Sequence, residues 1–183
     1  MPIQEKITAL LNDPSLLPYP VWEHAMISPK DITFSENVRK ACEVNYCGRY
    51  GKSWTCPPGA GDWQVLRDHF REYEHAFVFT TKYDLEDSFD VEGMDEARVQ
   101  HEAVDKAILA LLEGEEPHEL AGAGSCKICE KCTYPDAPCR FPDMRMSPLE
   151  GYGIFVSDLC TKNNIPYNRG KGTLTYVGAF LFA

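Results

Sequence analysis

The chain has 183 residues, of which 44% are hydrophobic and 25% charged, a composition typical of a folded globular protein. Lys and Arg total 18 against 28 Asp and Glu, and the formal net charge of −10 disfavours nucleic acid and anionic membrane surfaces as partners because both are negatively charged. The length favours a single domain, and no apolar run approaches the roughly 20 residues that a membrane span requires.

The N-terminal third is predicted to contain two helices and a strand. An amphipathic helix is expected after Pro2, ending before the breaker at residues 12–14. Residues 21–27 favour a short strand. Ser35 has the side chain of an N-cap for a helix running toward Cys47, so the first cysteines are expected at a helix end.

The middle of the chain alternates a loop, helices and a strand. Glycines and prolines predict a tight irregular loop over residues 48–61, after which Asp62 should cap a helix. Residues 75–83 have the aromatic and β-branched content of a buried strand. A long helix is expected over residues 92–113. Its apolar seam is predicted to run through Met94, Ala97, His101, Val104, Ile108 and Leu111.

The last third begins with a stretch rich in Gly, Cys and Pro that shows no sustained period and extends to Pro148. Ser147 and Pro148, with Glu150 behind them, are predicted to start a further helix that carries Leu149, Tyr152, Val156 and Leu159. Residues 174–182 form an apolar run that predicts a closing strand.

These segments together predict an α+β fold, in which helices cover a small mixed or antiparallel sheet of three to five strands. We expect one metal-binding domain over residues 1–183. Two cysteine-rich metal-binding loops should lie at about residues 42–61 and 122–147.

Seven of the eight cysteines form two groups. The second group contains a C-x2-C-x2-C run at Cys126, Cys129 and Cys132, the spacing at the core of bacterial ferredoxin motifs. Structural zinc sites more often use two pairs of ligands from separate turns. The run therefore favours an iron–sulfur cluster, of the 4Fe-4S type, over zinc or free thiols.

Cys139 follows this run with a spacing of six residues, longer than the three that usually precede the fourth ferredoxin ligand. It could complete the same cluster or bind a second one. We favour the first alternative because the chain has no second run of this kind.

The first group supplies three cysteines, Cys42, Cys47 and Cys56, and Pro57 follows the last of them as in ferredoxin motifs. Three ligands leave one coordination position open. Cys160, His69, His75 or an exogenous ligand could fill it. For Cys160 an ordinary place in the core is more common, and the same holds for His101 on the apolar seam of the long helix.

The two segments that contain the cysteines are positively charged, which favours thiolate ligands. The segment from Arg39 to Cys56 carries a net charge of +3, and the segment from Cys126 to Arg145 carries +1, although the whole chain is acidic. Neighbouring cations favour thiolates and offset the negative charge of cysteine-ligated clusters. Aromatic residues interleave with the cysteines and could exclude water from a cluster.

The N-terminus lacks the long apolar core of a signal peptide, which predicts a cytoplasmic protein. Reducing couples keep thiols free in the cytoplasm, so metal binding is expected in preference to disulfides.

Two segments, VRKACEVNYCGRYGKSWTCPPG and CKICEKCTYPDAPCRFP, together with SPLEGYGIFV and TYVGAFLF, resemble the predicted metal-binding proteins of domain of unknown function 2284. The most distinctive motif is C-x4-C-x2-Y-G-x2-W-x-C-P-P. The resemblance implies metal binding by these cysteines in prokaryotic, often anaerobic, cytoplasm, and it implies no particular reaction.

Three functions follow as hypotheses. The first is an iron–sulfur protein with one or two clusters that transfers electrons or serves as an accessory redox module for a partner enzyme. The second is a structural zinc module that binds a partner protein. The third is an enzyme in which the three-cysteine group holds a cluster with an open iron. The chain has no phosphate-binding glycine loop and no serine nucleophile elbow that would indicate other chemistry.

Overall fold

The structure is a computed structural model that describes residues 1–114 and 116–183. Within these residues, five α-helices and a five-stranded mixed sheet form the predicted α+β fold. The helices are α1 (Ile3–Asn12), α2 (Glu36–Val44), α3 (Trp63–Phe70), α4 (Val91–Leu112) and α5 (Val156–Lys162). The strands are β1 (His24–Ile27), β2 (His75–Asp84), β3 (His118–Gly122), β4 (Ser147–Pro148) and β5 (Thr173–Phe182).

The sheet has the order β1-β2-β5-β3-β4, so the last strand of the chain lies at its centre. β5 pairs antiparallel with β2 along its whole length, from His75 opposite Phe182 to Asp84 opposite Thr173. It pairs antiparallel with β3 on its other side. Only β3 and β4 run parallel, which makes the sheet mixed.

Alternating side chains of the central strands build a core on each face of the sheet. Phe77 and Phe79 of β2 and Phe180 of β5 pack with apolar residues of α1 and α4 on one face. Smaller residues such as Ala76 and Val78 face the other side, where they pack with α3 and α5. Both faces of the central strands are therefore buried, which explains their nearly continuous apolar sequences.

Capping side chains begin α2 and α3 at the predicted residues. The Ser35 hydroxyl accepts a hydrogen bond of 3.2 Å from the amide of Asn37 and begins α2. The Asp62 carboxylate accepts bonds from the first turn of α3, the shortest being 2.7 Å from Gln64. α2 ends at Val44 because Asn45 adopts a left-handed conformation with φ of 61°. Cys42 thus lies in the last turn of a helix, as expected.

One predicted helix is wrong. Ser147 and Pro148 do not start a continuous helix but form β4, followed by a short 3₁₀ turn over Leu149–Tyr152. Gly153 then adopts φ of +85°, a conformation that breaks the turn and reverses the chain before α5 begins at Val156.

Three smaller differences concern strands and the seam of α4. β3 lies in the stretch rich in Gly, Cys and Pro, which shows no sustained hydrophobic period and predicts no strand. β1 covers four residues and is shorter than predicted. Leu112 is buried in place of Leu111, which is 37% exposed. In the described residues, no helix is long and apolar enough to cross a membrane.

Candidate metal centre

The four cysteines of the second group surround one small cavity. Cys126, Cys129, Cys132 and Cys139 all line this space of about 30 Å³, which we call the four-cysteine cavity. All four side chains are half-buried. The structure therefore brings Cys139 to the same place as the C-x2-C-x2-C run despite its longer spacing.

A compact turn explains how the six intervening residues return to the run. The amide of Ala137 donates to the carbonyl of Thr133 at 3.0 Å, and the Thr133 hydroxyl donates to the carbonyl of Pro138 at 2.8 Å. The Arg140 guanidinium reaches back to the carbonyl of Lys131 at 3.0 Å. These bonds close the loop between Cys132 and Cys139.

The segment of the first group packs directly against this loop. The indole nitrogen of Trp54 donates to the carbonyl of Ala137 at 3.1 Å. The rings of Trp54 and Tyr134 pack edge to face with their centroids 4.9 Å apart. The Thr55 hydroxyl accepts a bond of 3.2 Å from the amide of Cys126. Both cysteine groups therefore belong to one packed unit.

Cys42, Cys47 and Cys56 line a separate and larger cavity of about 680 Å³, which we call the three-cysteine groove. Burial raises the pKa of the Cys42 thiol, and the negative charges of Glu150, Cys47 and Cys56 raise it further, whereas Arg39 lowers it. Burial also raises the pKa of Cys56. The three cysteines are brought together only in the sense that all of them line this groove.

Polar groups near Cys56 partly offset the effect of burial on its pKa. The hydroxyls of Ser53 and Thr55 and the charge of Arg49 lower the pKa of Cys56 and so favour its thiolate. The guanidinium of Arg39 is fixed by bonds to the carbonyls of Gly151 at 2.9 Å and Gly61 at 2.7 Å. The positive charge beside Cys42 is therefore held in place by the backbone.

Gly151 allows the close approach of the turn that backs the groove. A Cβ atom at this position would lie 2.7 Å from the carbonyl oxygen of Thr55, closer than real Cβ contacts. Only a glycine lets the 3₁₀ turn contact the segment that carries Cys56.

The candidates for a fourth ligand of the first group lie elsewhere. Cys160 is fully buried in the core and burial raises its pKa to about 11, as expected for a core residue. His69 bonds to Glu119, and the His75 ring lies 5.1 Å from that of Phe182. Glu150 lines the groove instead, and the sequence pattern did not identify it.

Neither cysteine group converges on a single point. Within residues 1–114 and 116–183, no three Cys, His, Asp or Glu side chains stand close enough together to hold one metal ion directly. The cysteines of each group instead line one cavity, the four-cysteine cavity for the second group and the three-cysteine groove for the first.

A third cavity of about 630 Å³ lies on the other side of Trp54, and Trp54, Ile128 and Arg145 line both it and the four-cysteine cavity. The Glu119 carboxylate on its wall accepts hydrogen bonds from His69 at 2.8 Å, from Tyr73 at 3.4 Å and from Tyr152. Burial lowers the pKa of His69, but the bond and charge of Glu119, aided by Glu72, raise it overall.

His101 occupies the core, as predicted. Its Nδ1 atom lies 2.6 Å from the Thr81 hydroxyl, and its Nε2 atom lies 3.4 Å from the buried carboxylate of Asp105. Burial lowers the pKa of His101 to about 3 and raises that of Asp105 well above its ordinary value. The same surroundings therefore favour the neutral form of both side chains.

The fold and these two thiol-lined cavities define a cysteine-rich metal-binding protein of the α+β class. The chain belongs to the family described as predicted metal-binding protein (DUF2284), whose model matches residues 25–182. This match confirms the resemblance found in the cysteine motifs. No curated protein and no solved structure matches the chain.

Proposed function

We propose that the protein binds an iron–sulfur cluster through Cys126, Cys129, Cys132 and Cys139 and serves as an electron carrier or redox module for a partner protein. The observation that carries this proposal is that all four cysteines line one cavity, three of them from a continuous C-x2-C-x2-C run.

The donor set suits such a cluster. Thiolates are the ligands that iron–sulfur clusters use, and these four cysteines would supply the thiolates that hold the cluster. When bound, the cluster would supply one-electron transfer. Trp54 and Phe141 line the same cavity, where they would limit the access of water.

Basic residues of the loop would offset the negative charge of the bound thiolates. Arg140 and Arg145 line the four-cysteine cavity, and Lys127 and Lys131 lie beside the ligands in the sequence. The half-buried position of the cysteines keeps a cluster near the surface, which supports electron exchange with a protein redox partner. A cytoplasmic location, where thiols stay reduced, would keep these cysteines available as ligands.

The first group would bind a second metal centre, either a cluster or a zinc ion. Cys42, Cys47 and Cys56 supply three thiolates beside a large open groove. Glu150 is the carboxylate of this groove, and it or an outside molecule would complete the coordination.

Metal analysis tests the proposal directly. The protein is purified without oxygen, and iron, acid-labile sulfide and zinc are measured per chain beside the visible and electron paramagnetic resonance spectra. Iron and sulfide in equal amounts, with visible absorption that dithionite bleaches, are expected. A colourless protein with stoichiometric zinc, which chelators unfold without any redox signal, would contradict the proposal and establish the structural zinc module.

A further inference from the structure

The three-cysteine groove has the size and wall chemistry of a small-molecule site. Its volume of about 680 Å³ falls within the range of about 300–1,000 Å³ that is usual for ligand pockets. The lining includes apolar side chains that are not fully buried, among them Val38, Ala41 and Phe155. A ligand with an apolar body would therefore gain free energy by leaving water here.

Aromatic side chains at the rim are left open to solvent. Tyr46 is 95% exposed, Phe155 47% and Tyr167 40%, and all three line the groove. Large rings are usually buried, and a bound molecule would cover these three. They extend the apolar surface from the wall to the mouth of the groove.

Two cations face this apolar space without a partner from the chain. Arg49 and Lys127 line the groove, and neither makes a side-chain hydrogen bond or ion pair within the part of the chain that the structure describes. Arg98 also lines it but is held by Asp95 at 3.0 Å and by Glu102 at 3.3 Å. An anion in the groove would therefore meet Arg49 and Lys127.

The groups near Arg49 define where the anion would lie. Arg49 lies between Cys47 and Cys56 in the chain and lines the same groove as both cysteines. A guanidinium presents two parallel N–H groups that match the two oxygens of a carboxylate. Glu150 is the acidic side chain among the described lining residues, and its charge would oppose an anion.

We infer that the three-cysteine groove binds a small organic carboxylate with an apolar or aromatic body, its carboxylate held by Arg49 and Lys127 beside the thiols. The inference goes beyond the proposed function, because the groove and its cations belong to the chain whichever metal the thiols hold. It gives the first cysteine group a ligand class of its own.

Calorimetric titration of the anaerobically purified protein tests the inference, after iron, sulfide and zinc have been measured on the same sample. The probe is 4-phenylbutyrate. Its neutral amide lacks the charge, and acetate lacks the apolar body. Because both the charge and the body contribute, 4-phenylbutyrate should bind at least tenfold more tightly than either.

Charge variants locate the site. Arg49→Gln and Lys127→Gln should each weaken 4-phenylbutyrate binding by roughly tenfold, because each removes a charge-assisted hydrogen bond. Glu150→Gln removes the opposing charge at nearly constant shape and should tighten binding several-fold. Lys52→Gln is the matched control, since Lys52 lies in the same segment as Arg49 but does not line the groove.

Circular dichroism confirms that each variant is folded before titration. Equal affinity for the acid and the amide, no binding at all, or unchanged binding in a folded Arg49→Gln variant would overturn the inference. A sample with full iron and sulfide that binds none of the probes would overturn it and leave the proposed function intact. Selective binding by a protein without iron would overturn only the proposed function.

Discussion

The hydroxyl of Thr55 accepts a hydrogen bond of 3.2 Å from the backbone amide of Cys126 and so joins the two cysteine groups. Thr55 precedes Cys56 in the chain, and its side chain also lowers the pKa of that thiol. A single buried residue, 1% exposed, therefore bonds to a ligand candidate of the second group and is the chain neighbour of one in the first.

Thr55→Val should weaken metal retention in both groups, since valine keeps the shape of threonine but cannot accept the bond from Cys126. Loss of this hydrogen bond to the half-buried Cys126 should lower the free energy of unfolding by about 1 kcal/mol. Urea denaturation and metal content per chain, measured together, check this. Thr161→Val is the control, because Thr161 is exposed and its hydroxyl bonds only within its own helix, α5. An equal loss in the two variants would contradict the role of Thr55.

Cys132→Ala should abolish the spectral signature of the cluster in the four-cysteine cavity, whereas Cys160→Ala should leave it intact. Cys160 is enclosed by the core and lines neither cysteine cavity. Its truncation should cost about 1 kcal/mol of stability through the space it leaves. Iron per chain and visible absorption measure the first effect, and denaturant unfolding measures the second. Loss of iron in Cys160→Ala would show that this thiol is a ligand.

The pKa of His69 should lie above its ordinary value of about 6.5 and fall when Glu119 is replaced by Gln. The fold favours the protonated imidazole, so its contribution to stability is fully present below the unfolded pKa and is lost as the pH rises through the folded pKa. Nuclear magnetic resonance titration of the imidazole protons measures the pKa of His69 directly. An unchanged His69 pKa in folded Glu119→Gln would refute the assignment of the shift to Glu119.

Asp105→Asn should become more stable than the wild-type protein as the pH rises. Burial raises the pKa of Asp105, so its stabilising contribution is lost as the pH climbs through the folded pKa, and asparagine has no such loss. The difference in unfolding free energy should grow by up to about 1.4 kcal/mol per pH unit until that pKa is reached.

Unfolding in urea at pH 5, 7 and 9 measures this difference. The interval from pH 7 to pH 9 isolates Asp105, because burial lowers the pKa of His101 and its ordinary pKa is about 6.5, so the imidazole is mostly neutral in the folded and the unfolded protein there. A difference that does not change with pH would mean that Asp105 is ionised in the folded protein.

Elements governed by local chemistry could be predicted from the sequence. Ser35 and Asp62 begin helices through bonds to amides two residues away, and such signals lie within a few residues of each other. The strands β2 and β5 were found because burial on both faces demands apolar residues in succession. The spacing of Cys126, Cys129 and Cys132 is also a local signal, and it indicates that the three cysteines lie close together.

Features that depend on distant partners could not be predicted. β3 has the sequence HELAG, which lacks β-branched residues, and it is a strand because Leu120 pairs opposite Phe180 of β5. The groove position of Glu150 depends on the break at Gly153 and on the packing of the turn against Thr55. No pattern near Glu150 itself carries that information.

The central position of β5 has a consequence for how the protein matures. During synthesis, all seven cysteines of the two groups are made before β5, the strand that joins β2 to β3. The nascent chain therefore presents its thiols while the sheet still lacks its middle. Metal delivered at that stage would meet ligands in unpacked loops, whereas metal delivered after release would meet ligands that the packed loops already hold in half-buried positions.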